Sequence, residues 1–308
     1  MTKFMPEGYL LETGENKLIT RSPLSIADAY SKGEIIEARA SMCDADHNLI
    51  VNIGGIKGII PRNEGAIGIE EGFVRDIAII SRVGKPVCFV ITGIKKDESG
   101  NPVAMLSRRI AQKECIEKYI KTLNVGDIID ATVTHLEPFG AFCDIGCGIS
   151  SLLPIDSISV SRISHPKDRF SPGDKIKAVI KSIDGDKITL SQKELLGTWT
   201  ENASLFSVGE TVSGIIRSVE SYGIFVELTP NLAGLAEPKE NAKVGDIASV
   251  YIKSILPEKM KVKLIVIDSF SSNEKNINSR YFIEKGHIDS WVYSPLCATK
   301  RIESAFNE

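Results

Sequence analysis

The chain has 308 residues, of which 43% are hydrophobic and 25% are charged, and its formal net charge is −3. This length and composition are typical of a folded protein with several cores, and they exclude disordered and fibrous proteins. A protein held on nucleic acid mainly by charge is expected to be basic. Any nucleic-acid binding by this acidic chain must therefore depend on local basic patches and on stacking.

The N-terminus and the cysteines indicate a soluble, cytoplasmic protein. Residues 1–7 lack the apolar core of a signal peptide, and no run approaches the roughly 20 apolar residues of a membrane-spanning helix. Among the six cysteines, Cys143 and Cys147 form the one close pair, and no second Cys or His pair stands at metal-binding spacing. We therefore expect buried, reduced thiols, no metal and no cofactor.

The first part of the chain predicts a short lead-in followed by a β-barrel. Residues 1–28 are weakly patterned and predict one short helix that Ser25 could cap. From residue 29 to residue 109, short apolar strands alternate with turns. Residues 110–123 then carry apolar side chains at positions 110, 116, 119, 120 and 123 with charges between them, which predicts an amphipathic linker helix.

Residues 124–199 carry the clearest strand pattern. Five short apolar runs, with a longer connection between the third and the fourth, give the strand count of a small Greek-key barrel of the OB type. At the junction of two of these strands, Phe139 and Phe142 enclose a Gly-Ala pair. Two aromatic residues beside a glycine at such a junction fill a core poorly but make a flat stacking surface.

The same plan occurs three times in the chain. A glycine precedes the first strand of each copy, and these glycines are Gly33, Gly126 and Gly209. Thirteen and sixteen residues after the glycine, the second and third copies have aromatic residues, namely Phe139, Phe142, Tyr222 and Phe225. At the same offsets the first copy has Asp46 and Leu49, so it keeps the strand pattern without the aromatic pair.

The remaining sequence predicts a shortened third barrel and a tail. Residues 200–268 form the third copy, and Trp199, in the segment that joins it to the second copy, predicts a contact between barrels. Residues 269–279 are polar and predict a linker. The segment that follows, up to residue 308, is too apolar for a solvated tail, and we expect it to dock on a barrel or on a partner.

These features resemble the S1 RNA-binding domain, the repeat that builds ribosomal protein S1 and that also occurs in some exoribonucleases and initiation factors. The second copy carries the resemblance in order and spacing, through Val125-Gly126-Asp127, Phe139-Gly140-Ala141-Phe142, Asp144-Ile145-Gly146, Leu152-Leu153, Gly173-Asp174, Asp184, Lys187 and Leu190-Ser191. The resemblance implies a mainly β fold, with three tandem OB-type barrels of five strands, a linking helix and a C-terminal tail.

The resemblance also implies an RNA-binding face. It places both aromatics of the second copy on that face, with Asp184 at the family's acidic position and Lys187 in place of an arginine. Further cations of the second copy could contact phosphates, namely Arg162, His165, Lys167, Arg169, Lys175, Lys177 and Lys181. In the third copy these roles fall to Tyr222, Phe225 and Lys261. The histidine usual on the family's third strand is replaced in the three copies by Pro61, Pro154 and Glu237.

Two functions remain open from the sequence. The first is an RNA-binding protein similar to ribosomal protein S1, which binds single-stranded RNA such as mRNA and has the small ribosomal subunit as a further candidate partner. The second is a protein-docking scaffold on the ribosome or another RNA-associated complex, whose barrels keep the fold without RNA affinity. In this second reading one Phe is a core residue and the lysines are an ordinary solvated surface.

An enzyme is not expected. The four histidines stand at no Cys/His or His/Glu catalytic spacing, and Gly54–Gly58 lacks the GK[ST] ending of a phosphate-binding loop and predicts a hairpin turn instead. Close pairs of aspartates fall in predicted turns, where Asp is common for local hydrogen bonding.

Overall fold

The computed structural model describes residues 4–271 and 280–306. Three closed barrels of five strands follow one another along the chain, so the predicted mainly β fold with three OB-type barrels is confirmed. Within the described residues, no helix combines the length and the apolar sequence needed to cross a bilayer. Of the predicted polar linker, residues 269 and 270 belong to the last strand of the third barrel, and residues 272–279 lie outside the described residues.

The first barrel is formed by β1 (Ile36–Cys43), β2 (Leu49–Ile53), β3 (Ile56–Ile60), β4 (Pro86–Lys96) and β5 (Pro102–Ser107). It closes in the order β1-β2-β3-β5-β4, in which β3 and β5 are parallel and the other pairs are antiparallel. Gly54 and Gly55 make the β2–β3 hairpin turn with φ angles of 56° and 80°, the left-handed region that glycine adopts readily.

Helices near the N-terminus contribute to the first barrel. They are α1 (Gly14–Ile19) and α2 (Pro23–Lys32), and a short α3 (Ile77–Ile80) lies in the β3–β4 connection. Ser22 caps α2 by accepting a hydrogen bond from the Ser25 backbone N–H, so the predicted cap at Ser25 is wrong. Ile26 and Ala29 of α2 are buried in the barrel's hydrophobic core, so α2 belongs to the barrel and is not a detached lead-in.

The helix after the first barrel begins earlier than predicted and buries a different face. It is α4 (Arg108–Lys118), followed by a 3-10 turn at Ile120–Thr122. Its buried residues are Arg108, Ala111, Gln112 and Cys115, whereas Ile110 is 37% exposed. The apolar stripe read from the sequence is therefore wrong at Ile110, whereas Tyr119 and Ile120, just beyond the helix, pack against the cluster that contains Ala111 and Cys115. The buried polar groups are tolerated because they are bonded: Arg108 pairs with Glu7, and Gln112 donates to the Cys147 carbonyl.

Strands of the other two barrels follow the same order. The second barrel has β6 (Ile128–Glu137), β7 (Gly140–Asp144), β8 (Ser150–Pro154), β9 (Lys175–Asp184) and β10 (Lys187–Ser191). After α5 (Trp199–Ala203), the third barrel has β11 (Thr211–Glu220), β12 (Gly223–Thr229), β13 (Leu232–Ala236), β14 (Ile247–Leu256) and β15 (Lys261–Phe270). In the tail, β16 (Ser290–Val292) pairs with β17 (Glu303–Ala305).

The chain divides into two compact units. One contains residues 1–123 and 144–150, and the other contains residues 124–143 and 151–308. In the first unit, Arg108 Nε lies 2.6 Å from the buried Glu7 carboxylate, and the Glu7 backbone N–H donates to Asp144 at 2.7 Å. Burial alone would raise the pKa of Glu7, but Arg108 and Arg82 hold it below its usual value. Burial, with the nearby Glu7 charge, raises the pKa of Asp144 to about 7.

In the second unit, the tail is part of the hydrophobic core. Trp199, Trp291 and Tyr293 are buried in one cluster with the strands of the third barrel. The Tyr293 hydroxyl donates to the Asn231 carbonyl at 2.5 Å, and the Tyr281 hydroxyl accepts from the Lys177 N–H at 3.1 Å. The tail therefore docks on both barrels of this unit.

A buried carboxylate joins the second barrel's long connection to the third barrel. The Glu227 carboxylate on β12 forms two salt bridges. Its N–O distance is 2.5 Å to Arg169 of the connection and 2.8 Å to Arg217 of β11. The side chains of Arg169 and Glu227 are both 0% exposed. Removing water from such charges is costly, and the cost is offset only while each charge keeps its partner.

We expect Glu227→Gln to lower the free energy of unfolding by about 3 to 5 kcal/mol, because the variant leaves two arginines at a buried site without a counter-charge. The matched control is Glu237→Gln. Glu237 is largely exposed and lies 3.9 Å from Lys253, so its replacement should change stability by less than about 1 kcal/mol. Urea unfolding of both variants measures the difference, and equal stabilities would contradict a structural role for the cluster.

Candidate nucleic-acid interface

The outer face of the third barrel gathers an aromatic pair and lysines. Strand register aligns Phe225 on β12 with Leu235 on β13, and Leu235 with Lys263 on β15. Residues that lie opposite each other on adjacent strands share one face of the sheet, and Lys261, two residues before Lys263, shares it too. Tyr222 is 66% exposed at the start of this face and packs edge-on against Phe225, with ring centroids 6.2 Å apart.

The second barrel repeats this aromatic pair. Phe139 is 56% exposed, and its ring packs edge-on against the half-buried Phe142 with a centroid distance of 6.1 Å. His135 on β6 also stacks on Phe142, with ring centroids 6.4 Å apart, and the sequence analysis missed this neighbour. Cys143, the next residue along β7, is fully buried, as expected from the alternation of side chains along a strand.

Between the two rings of each aromatic pair, the chain has a glycine that the fold requires. A Cβ on Gly140 would lie 2.6 Å from the Leu153 carbonyl oxygen, and a Cβ on Gly223 would lie 2.6 Å from the Ala236 carbonyl oxygen. Only glycine lets the neighbouring strand approach so closely. The two flanking rings are thereby placed at corresponding points of both barrels.

The first barrel has no such face. Leu49 is fully buried, and Asp46 lies in a turn where its backbone N–H donates to Asp44 at 3.0 Å. His47, at the position of the glycine, has a φ angle of 62°. Neither residue at the aromatic offsets can stack a base.

Lys187 and Asp184 lie at the edge of the second barrel's face. Register aligns Leu152 on β8 with Thr189 on β10, and Lys187 shares the face of Thr189. Asp184 is the partner of Lys187 across the β9–β10 turn, and both are exposed. The Leu152 side chain lies beside Gly140, which shares the face of Phe142 on β7, so these two predicted residues lie on the aromatic side of the barrel.

Arg169 is a correction to the predicted site. Its guanidinium is buried, paired with Glu227 and bonded to Ser159 Oγ at 3.1 Å, so it cannot reach RNA. His165 also has a structural task, because its Nδ1 accepts the Lys167 N–H at 3.1 Å and caps a 3-10 turn. Residue types alone could not distinguish cations that are buried or form structural hydrogen bonds from cations that are exposed to solvent.

Lys175, Lys177 and Lys181 are not gathered with the aromatic pair. Register places Lys175 and Lys177 opposite Thr132 and Asp130 in the first half of β6, whereas His135, which touches Phe142, lies in the second half of that strand. Lys177 Nζ also pairs with Asp130 at 2.9 Å.

Lys181 Nζ donates to Ser157 Oγ at 2.8 Å. That these three lysines contact RNA phosphates stays a prediction.

The long connection of the second barrel turns toward the third barrel. The Val160 N–H donates to Asn231 at 3.0 Å, and the Ser161 N–H donates to the Pro230 carbonyl at 3.1 Å. Arg162 and Lys167 on this connection are exposed, as a role in phosphate contact requires.

A cleft of about 480 Å³ opens beside Tyr222 and Phe225. Its lining includes Lys259 and Lys261 of the third barrel, Ser161 of the connection, and residues of the tail, namely Tyr293, Lys300 and Ile302. The sequence analysis missed the tail residues of this cleft. An apolar tail predicts that it docks, but it does not predict where on the protein it docks. Among the described residues, no group of His, Cys, Asp and Glu side chains is placed to hold a metal, and neither Cys143 nor Cys147 forms a disulfide.

Comparison with known proteins relates this chain to a protein family. The family model "S1 RNA binding domain" matches residues 122–193, which contain all five strands of the second barrel. The chain is 31% identical to "Small ribosomal subunit protein bS1 homolog" of Bacillus subtilis (strain 168), over 84% of this chain and 66% of that protein.

Two further relatives are named "Small ribosomal subunit protein bS1". One, from Leuconostoc lactis, is 29% identical over 77% of this chain and 57% of its own length. The other, from Staphylococcus aureus (strain MRSA252), is 29% identical over 91% of this chain and 74% of its own length. The chain thus spans between 57% and 74% of the length of these three relatives. The matched domain, together with the three closed barrels, shows that this chain contains an S1 RNA-binding domain and resembles S1 proteins over most of its length.

Proposed function

We propose that this protein binds single-stranded RNA through the aromatic pairs of its second and third barrels. The observation that carries the proposal is the recurrence of one arrangement: an edge-on pair, with centroids 6.1 Å apart in one barrel and 6.2 Å in the other, whose first ring is mostly exposed. Exposed rings on the face of an OB-type barrel form a stacking platform for unpaired bases, and each stacked base contributes about 1 to 3 kcal/mol.

Cations beside the rings supply the second requirement. Lys187 in the second barrel and Lys261 and Lys263 in the third share the face of the rings by strand register. Contacts between lysine and phosphate position the strand without reading its sequence, so the binding we propose is tolerant of sequence.

Messenger RNA and the small ribosomal subunit are the partners we propose, with the cytoplasm as the location. The family match is to an RNA-binding domain, and the relatives named above are small-subunit proteins. The proposal includes no catalytic activity.

For the first barrel, a protein-docking role fits better than RNA binding. It lacks the aromatic pair, and its β3–β4 connection exposes Phe73 to 88% and Ile77 to 63%. Apolar side chains exposed together favour a protein contact. A fragment ending at Asp268 would lack the buried Trp291 and Tyr293, so the division of labour is best tested with point changes in the full chain.

Phe142→Ala should weaken binding of a labelled single-stranded RNA by about 1 to 3 kcal/mol, roughly 5- to 150-fold in Kd, because one stacking ring is lost. Fluorescence anisotropy measures the Kd, and circular dichroism checks that the fold is retained. The control is Cys143→Asp, which should unfold the second barrel because this fully buried side chain points into the core. A folded Phe142→Ala variant with unchanged Kd would favour the scaffold function.

Replacing both Lys187 and Lys261 by Gln should lower affinity for all RNA sequences alike. It should also reduce the slope of log K against log salt by about 1.4, at about 0.7 for each lost phosphate contact on a single strand. The control replaces Lys175 and Lys177, which lie away from the rings and carry the same total charge. A control that flattens the salt dependence equally would show that general charge, rather than the aromatic faces, holds the RNA.

A further inference from the structure

The cleft beside Tyr222 and Phe225 differs from an open stacking face because it has a second wall. One side is the barrel face, with the two rings, Leu235 and Lys261. The other side comes from outside the third barrel: Tyr293 and Ile302 from the tail, and Val160 and Ser161 from the second barrel's connection. A base entering this space would contact protein on both sides rather than on one.

The volume of the cleft suits a small ligand. Its volume of about 480 Å³ lies within the range of roughly 300 to 1,000 Å³ usual for ligand pockets. Its lining is mostly apolar and aromatic, with the polar groups at the lysines and at Ser161. This composition fits a flat heterocycle with a charged group attached.

The charge of the cleft indicates that the ligand is an anion. Lys259, Lys261 and Lys300 line it, and no carboxylate does among the described residues. Three cations around one cleft are conspicuous in a chain whose net charge is −3. A phosphate attached to the bound base would meet them at the edge of the site.

Lys300 is held at the cleft by bonds on both sides of it in the chain. The Thr299 N–H donates to the Glu258 carbonyl at 3.1 Å, which ties the tail to the β14–β15 turn. The Ile302 N–H donates to Ser294 Oγ at 2.8 Å, and the Tyr293 N–H donates to the Ile302 carbonyl at 2.9 Å. The backbone that carries Lys300 is thus fixed, so contact with a phosphate has to order only the lysine side chain.

We propose that this cleft binds one nucleotide of a single-stranded RNA, with the base between Tyr222–Phe225 and the tail, and with Lys300 as a phosphate contact supplied by the tail. The inference rests on the proposed function and extends its third-barrel site by a contribution from the tail. It also makes the site a property of the assembled second unit, because the third barrel alone lacks both Lys300 and the second wall.

The test uses the full chain carrying Phe139→Ala and Phe142→Ala, so that the remaining RNA binding reports the third barrel. In this background Lys300→Gln is compared with Lys285→Gln, which removes the same charge from the same tail at a residue that does not line the cleft. The probe is a labelled single-stranded RNA of about 12 nucleotides, a length within the range of OB-type sites.

Lys300→Gln should reduce the salt slope by about 0.7 and weaken binding about fivefold at 0.1 M salt, whereas Lys285→Gln should change neither. Adding Phe225→Ala should make the further loss from Lys300→Gln much smaller, because the base that places the phosphate no longer stacks. Equal effects of the two lysine variants would overturn the site.

Loss of all RNA binding in the Phe139→Ala, Phe142→Ala background would overturn the site and limit the proposed function to the second barrel. If the unaltered chain binds no RNA, both the site and the proposed function are wrong.

Discussion

The second unit depends on one buried carboxylate. Glu227 points out of the third barrel and holds Arg217 of its own sheet and Arg169 of the second barrel's connection. This arrangement fixes the connection on the third barrel, and Val160 and Ser161 consequently become part of the cleft beside Tyr222. A cluster that contributes nothing to stacking thus decides the shape of a stacking site. Because both charges are desolvated, the arrangement tolerates the loss of neither.

The aromatic pairs follow from strand geometry. Gly140 and Gly223 let a neighbouring strand approach to a distance that no side chain permits, and the rings on either side are then directed outward. The next residues, Cys143 and Val226, are fully buried because side chains alternate along a strand. In the first barrel the same positions hold a turn residue and a core leucine, and the fold persists without a stacking face.

The sequence was sufficient for the barrels and the rings, because both depend on local pattern: strand alternation, turn glycines and a fixed offset from a glycine. It was insufficient for the cations. Arg169 and Lys167 have the same charge and stand two residues apart, yet Arg169 is buried against Glu227 and Lys167 is exposed. That difference depends on how the connection packs on a barrel further along the chain. Lys300 was missed for the same reason, since its place in the cleft depends on long-range docking of the tail.

Photo-crosslinking tests the central claim most directly. A single-stranded RNA containing 4-thiouridine is bound to the full chain, irradiated and digested, and the crosslinked peptides are identified by mass spectrometry. Stacking on the two faces predicts crosslinks in the peptides that contain Phe139 and Phe142 and in those that contain Tyr222 and Phe225, with none at Asp46 or Leu49. Crosslinks concentrated in the first barrel, or spread evenly over surface lysines, would contradict the account.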